Sequence, residues 1–345
     1  MKIITENPHP NENTRYSYLI GRIRVMEKGI LSNRTVESIL RADNLEHTRR
    51  ILSEITGVGE TVQNLEEEPK AIDRALSAFY WNSVREMGSH LAGKEIARFF
   101  TLPFDYANAK LVLKRFFASS GKETQEYPGE IPREKLQRFV GGESQEIIPD
   151  AMRHGLEEAR MEYENTKHPQ LPECVLDRYA LQEALQMRHV FESVVLRNWI
   201  IAYVMFAFIR ASLRARFQER SAETLRRLYF ENRYIRFEDL EDLASGSEEK
   251  AQETIVKMGF TDLVTNEGAF QGDPHALAEM EKVMDDYLMK YIRRYRMSAF
   301  GPEPVFGFLY ARLTDIRNLR ILLLGKYFAL AEDDLRAKVR ECYHE

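Results

Sequence analysis

Gly88-Ser89-His90-Leu91-Ala92-Gly93-Lys94-Glu95 comes within one residue of G-x-x-x-x-G-K-[S/T], the loop that cradles nucleotide phosphates. The failing position is Glu95. A hydroxyl there would ligate magnesium beside the phosphates, whereas a carboxylate repels them. The context fails too: the loop must follow a buried strand, and Ala75 to Glu86 has helical periodicity. An interhelix turn is the expectation. His154 with Glu157 and Glu158 places acids within one helical turn of a histidine, a pattern that more often marks a solvated helix face than a metal site. None of the eight histidines forms H-E-x-x-H, and no G-x-S-x-G is present. The sequence therefore predicts no catalytic centre, no cofactor and no metal.

Arginines form two clusters: Arg210, Arg214, Arg216 and Arg220, and Arg293, Arg294 and Arg296 beside Tyr291 and Tyr295. Aromatics between arginines can bind nucleic acid. Here Glu219, Glu223, Asp285 and Asp286 offset the field and the net charge is −5, so a charged helix face or a protein partner is expected and nucleic acid is not. Cys174 and Cys342 have no metal-ligand spacing, which fits a reducing compartment. The polar stretch Met1 to Asn13 lacks signal-peptide character. The longest apolar run, Trp199 to Ile209, falls short of the ~20 residues that span a bilayer, so no membrane span is expected.

The elements that must position any functional group read as helix throughout; with 345 residues there is room for two or three domains. Tyr18 to Lys28 is a helix ended by Gly29, and Asp43-Asn44-Leu45-Glu46 has capping-box form before a helix ending near Ile55. Pro69 precedes a helix to Gly88, Pro103 opens one to Ala118, and Pro149 opens one to Lys167. Pro172 to Arg216 holds no further proline or glycine and reads as one long bridging helix. Thr265 to Gln271 suggests a small turn or hairpin. Pro274 to Met297 and Pro302 to Tyr327 are the last long helices, the latter with a single buried stripe through Val305, Leu309, Leu313, Ile316, Leu319 and Leu323. A short helical unit recurs: Leu31-Ser32-Asn33-Arg34-Thr35-Val36-Glu37-Ser38-Ile39-Leu40 matches Ile131-Pro132-Arg133-Glu134-Lys135-Leu136-Gln137-Arg138-Phe139-Val140, with looser echoes from Arg220 and Leu330.

Three segments carry a family resemblance. Phe300-Gly301-Pro302-Glu303-Pro304-Val305 is followed by Asp315-Ile316-Arg317-Asn318-Leu319-Arg320, and Asp105-Tyr106-Ala107-Asn108-Ala109-Lys110 repeats the D-x-x-N-x-[K/R] form. With the opening helix from Tyr16, which includes Tyr18, Arg22 and Arg24, these resemble the C subunit of V-type and A-type ATPases, known in eukaryotes as the d subunit. The middle of the chain departs from the pattern: Asn198 is its best match, with neither the Asp nor the basic residue.

The resemblance implies an all-α fold of three similar lobes in a pseudo-threefold funnel. The boundaries expected are 1–104, 105–216 and 217–345, with the C-terminal helices closing back on the first lobe. It also implies a non-catalytic rotor part of the central stalk, peripheral on the cytoplasmic face of the membrane. The implied partners are the D and F subunits of the shaft and the proteolipid ring. A cytosolic helical-repeat scaffold is the alternative. An Asp three residues before an Asn shares its helix face, and Asn both donates and accepts, which suits a contact of fixed register. Asp105, Asn108, Asp315 and Asn318 are accordingly read as bonding between lobes in preference to touching a partner directly.

Overall fold

The computed structural model describes residues 8–63, 68–118, 127, 129–143, 148–217, 221–265 and 268–344. Among these residues the fold is all-α. The helices are α1 (Ser17–Met26), α2 (Asn33–Leu40), α3 (Leu45–Ser53), α4 (Val58–Gln63), α5 (Pro69–Gly88), α6 (Lys94–Ala118), α7 (Arg133–Gly141), α8 (Asp150–Thr166), α9 (Gln170–Met187), α10 (Val194–Ala215), α11 (Ser221–Leu228), α12 (Phe237–Ser245), α13 (Glu248–Lys257), α14 (Gly268–Gln271), α15 (Pro274–Arg293), α16 (Glu303–Tyr327) and α17 (Glu332–Lys338). The one β-type pairing among them is an isolated parallel bridge between Ser32 and His344. Two compact units divide the chain. Of the described residues, one takes Thr101–Val190 and Ile200–Leu277; the other takes those up to Phe100, Phe191–Trp199 and those from Ala278 onward.

In the first unit α9 packs along α8 and α11, and α12 packs on α13. Phe117 stacks on Tyr163 at 3.8 Å, and Glu158 accepts from Tyr179 at 2.9 Å while pairing with Arg178. In the second unit α16 lies against α5 and also meets α1 and α3. Its core is aromatic. The Trp199 ring meets Phe306 at 4.9 Å, Tyr310 at 4.8 Å and Phe99 at 6.0 Å, and its indole N–H donates to the Leu288 carbonyl at 3.0 Å.

Several sequence expectations are corrected. Pro103 lies inside α6, which begins at Lys94. A proline costs the helix one backbone bond, but Ile96, Phe99 and Phe100 are buried ahead of it and hold the earlier turns in place. The expected helix from Pro172 to Arg216 is broken between Met187 and Val194 without glycine or proline. Glu192 takes a left-handed φ of 52°, and the Ser193 hydroxyl accepts the Leu196 N–H at 3.1 Å, capping α10. At α3 the cap is Asn44, whose side chain accepts the His47 N–H at 2.9 Å, in place of Asp43. Where a hairpin was one option, short helical turns Thr261–Thr265 and Gly268–Gln271 stand; residues 266 and 267 lie outside the described residues. α16 is buried almost all round instead of on one stripe, and Leu313 of the expected stripe is only half-buried.

α10 is, by length and composition, long and apolar enough to cross a membrane, and 67% of its most apolar window is buried inside the protein. A helix apolar on all faces suits the centre of a large helical protein as well as a bilayer. Truncating the aromatic core should be severe: Trp199→Ala is expected to cost roughly 3–5 kcal/mol, read from the denaturant midpoint, through the cavity it leaves.

Candidate functional site

The D-x-x-N-x-[K/R] residues build the same device twice, once in each unit. In α6, Asp105 is fully buried and its Oδ1 accepts the N–H of Ile131 at 3.0 Å. In α16, Asp315 is also buried and its Oδ2 accepts the N–H of Leu31 at 3.2 Å. Leu31 and Ile131 are the residues that open the two best copies of the repeated unit. Each aspartate therefore fixes the start of a short helix, α2 or α7, against a long one.

The asparagines one turn on act as two-point clamps. Asn108 donates to the Tyr127 carbonyl at 2.8 Å and accepts the Tyr127 N–H at 2.9 Å. Asn318 donates to the Arg340 carbonyl at 2.9 Å and accepts the Arg340 N–H at 2.9 Å. Only a side chain with both a donor and an acceptor can bond both groups of one peptide residue. The basic residue completes the device by reaching a neighbouring long helix: Lys110 meets Asp177 of α9, and Arg320 meets Asp73 of α5, each at 2.5 Å.

A glycine two residues before each unit makes the approach possible. A Cβ on Gly129 would lie 2.3 Å from Asp105 Oδ1, and one on Gly29 would lie 2.4 Å from the Thr56 carbonyl oxygen. Neither position tolerates a side chain without displacing backbone or the carboxylate. Sequence reading gave Gly29 only as a helix end and did not link either glycine to the units, although their equal offset from Leu31 and Ile131 is a visible signal.

The Asp315 copy carries an extra cation. Arg312 is buried, lies 3.6 Å from Asp315, donates to the Gly29 carbonyl at 2.8 Å, and places its guanidinium over the Phe79 and Phe308 rings. Burial pushes the Asp315 carboxyl up to about 7, while Arg312 and the Leu31 N–H oppose that rise. Burial likewise lowers the pKa of Arg312, with Asp315 opposing. Nearby, Glu303 of the G-P-E-P stretch is fully buried; it accepts the Ser193 hydroxyl at 2.6 Å and the Asn11 N–H at 2.9 Å, and burial raises its pKa.

Asn198 does not share this bonding. It sits in the first turns of α10 and donates to the Tyr291 hydroxyl at 3.3 Å. Counted from the helix start, the positions of α10 that match Asp105 and Asn108 of α6 hold Met205 and Phe208, both buried, and the Phe208 ring meets Phe230 at 5.4 Å. The opening-helix residues divide by exposure. Tyr16 is buried, with its hydroxyl bonded by Arg15 at 2.6 Å. Tyr18 is exposed and its ring lies 5.1 Å from that of His90. Arg22 pairs with Glu86, and Arg24 pairs with Glu27 at 3.0 Å and bonds the Arg296 carbonyl.

The remaining motifs carry no site. The Gly88 to Glu95 segment follows helix α5 and enters α6 through a single turn, so it is an interhelix connection. No group of acids, histidines and cysteines among the described residues could hold a metal ion. Arg293 and Arg296 are spent on the carbonyls of Cys342 and Tyr343, and Arg220 lies outside the described residues.

The sequence profile of the ATP synthase (C/AC39) subunit family matches residues 19–338. The C subunit of the V-type sodium ATPase of Enterococcus hirae is 21% identical over 336 residues, which cover 95% of this chain and 99% of that protein. The C subunit of the A-type ATP synthase of Methanocaldococcus jannaschii is 21% identical over 342 residues, covering 93% of this chain and 85% of that protein. Its counterpart in Methanobrevibacter smithii is 24% identical over 336 residues, covering 90% and 84%.

Two outcomes follow from the geometry. Asn108→Ala and Asn318→Ala each strip both bonds from one peptide residue, and each should cost about 1–3 kcal/mol in urea titrations. A loss near zero at both would contradict the clamp. For Asp315, the folded-state pKa lies above its ordinary 3.8, so folding takes up a proton. Its stabilising contribution is full below the unfolded pKa and is lost as pH rises through about 7. Asp315→Asn cannot titrate. The stability difference between the two proteins, measured from about pH 5 to 8, should shift toward the Asn variant as pH rises; a difference that does not change with pH would contradict burial as the cause.

Proposed function

The chain belongs to the ATP synthase (C/AC39) subunit family, and on that premise we propose that it is the non-catalytic connector of the central stalk in a V/A-type ATPase. In this reading it joins the shaft, made of the D and F subunits, to the membrane proteolipid ring. It turns with them as a peripheral component on the cytoplasmic face. The observation that carries the reading is the family match over nearly the whole chain, together with relatives named as the C subunit that align across 84–99% of their own length. Three similar helical lobes about a pseudo-threefold axis would give the connector a socket for the shaft.

The chemistry of the site is consistent with a mechanical task. A torque-bearing spacer needs no nucleophile and no metal; it needs elements whose register does not slip under load. Close-packed interiors resist compression, and a buried carboxylate bonded to one backbone N–H has no equivalent partner one residue away. The asparagine clamp and the Lys110–Asp177 or Arg320–Asp73 pair then fix the same long helix to two further segments. Each long helix is thus held at three points along two turns, in addition to its apolar packing.

Reconstitution tests the proposal. The purified chain should co-purify with the matching D–F shaft and proteolipid ring, and a complex lacking it should no longer couple ATP hydrolysis to ion movement. A depleted complex that still pumps, together with failure to co-purify, would overturn the reading.

A further inference from the structure

The two copies of the latch differ in one respect. In the α6 copy, the residue held by the asparagine (Tyr127) and the residue held by the aspartate (Ile131) belong to one short stretch of chain. In the α16 copy they come from opposite regions: Leu31 from the entry to α2, and Arg340 from the segment after α17. That segment, residues 339–344, has no helical structure and is seated by the side chains of other elements. Besides Asn318 on Arg340, Asp286 accepts the Glu341 N–H at 2.7 Å and Asn33 accepts the Cys342 N–H at 3.2 Å. Arg293 donates to the Cys342 carbonyl at 3.2 Å, and the His344 carbonyl accepts the Asn33 N–H at 3.1 Å.

The segment is also anchored like a peptide ligand. Tyr343 is fully buried against Gly307 of α16, where an added Cβ would come 3.0 Å from the tyrosine oxygen. Glu341 pairs with Arg293 at 2.9 Å and Lys290 at 3.1 Å. One flank is open: a cleft of about 270 Å³ lies between α2, α15 and residues 339–341. Of α17, which leads into the segment, only Leu335 is buried.

We propose that residues 339–344 are a detachable strap seated in a peptide-binding groove formed by α2, α15 and α16, and that this groove accepts the same segment supplied in trans. The bonds that seat it are the kind an extended peptide makes: backbone groups give affinity and one aromatic pocket gives specificity. Leaving the groove breaks no helix, and it removes the strap's bonds to Asn33 at the head of α2 while the Asp105–Ile131 latch stays intact. The strap would behave in this way whether or not the chain is a rotor part.

The test uses the full-length chain. Tyr343→Ala removes the anchor from the strap and leaves the groove whole; Arg340→Pro is a second strap-side change, removing the N–H that Asn318 accepts. A fluorescein-labelled peptide of residues 338–344 is titrated by anisotropy. It should bind the variants saturably and bind the unaltered chain about tenfold more weakly or worse. Amides of residues 33–40 should exchange about tenfold faster in the variants and recover with excess peptide, while those of 133–140 stay unchanged. Equal binding to variant and unaltered chains, no saturable binding to a folded variant, or loss of helical circular dichroism in both variants would overturn the proposal.

Discussion

A buried carboxylate is tolerable only where a donor meets it, and this requirement organises both ends of the repeated device. Asp105 and Asp315 sit inside long helices whose own backbone N–H groups are committed to the helix. Each must find donors beyond its own helix backbone, and each accepts the N–H at the head of a short helix. Gly129 follows from that need, because a side chain there would collide with the Asp105 carboxylate, while Gly29 lets the chain ahead of Leu31 pass close to the Thr56 carbonyl. The asparagines one turn on add a second hold on the same helix, each bonding both the donor and the acceptor of one peptide residue, Tyr127 at Asn108 and Arg340 at Asn318.

The long helix of the middle stretch solves the same packing problem differently. Counted from the helix start, α10 has Met205 and Phe208 where α6 has its Asp and Asn, and neither side chain demands an external donor. Around these two positions aromatic packing holds it, Phe206 on Phe260 and Phe208 on Phe230. Apolar packing is strong but non-directional, so a polar latch adds fixed register where α10 has bulk. The chain distributes these two kinds of contact among its long helices.

Much of this was legible in the sequence because helix periodicity and proline or glycine punctuation are local. The all-helical class, most element boundaries and the pairing of the units at Leu31 and Ile131 follow from such patterns. The break after Met187 was not legible, since Glu192 adopts a left-handed φ that no residue type announced and Ser193 caps α10 while donating to distant Glu303. Pro103 misled for the opposite reason: tertiary burial of Ile96, Phe99 and Phe100 outweighed a local rule. D-x-x-N-x-[K/R] was visible as a motif, but its partners were not. Tyr127 and Ile131 lie close in sequence to Asp105, whereas Leu31 and Arg340 lie far from each other and reach Asp315 and Asn318 only through the fold.

Two buried aspartates, each on one backbone N–H, fix the short helices to the long ones. Native-state hydrogen exchange at the amides of Leu31 and Ile131 tests this most directly. Both should exchange only through the largest openings of their units, as slowly as the core amides of α16 and α6. Exchange of either amide on the timescale of an exposed loop would contradict the latch.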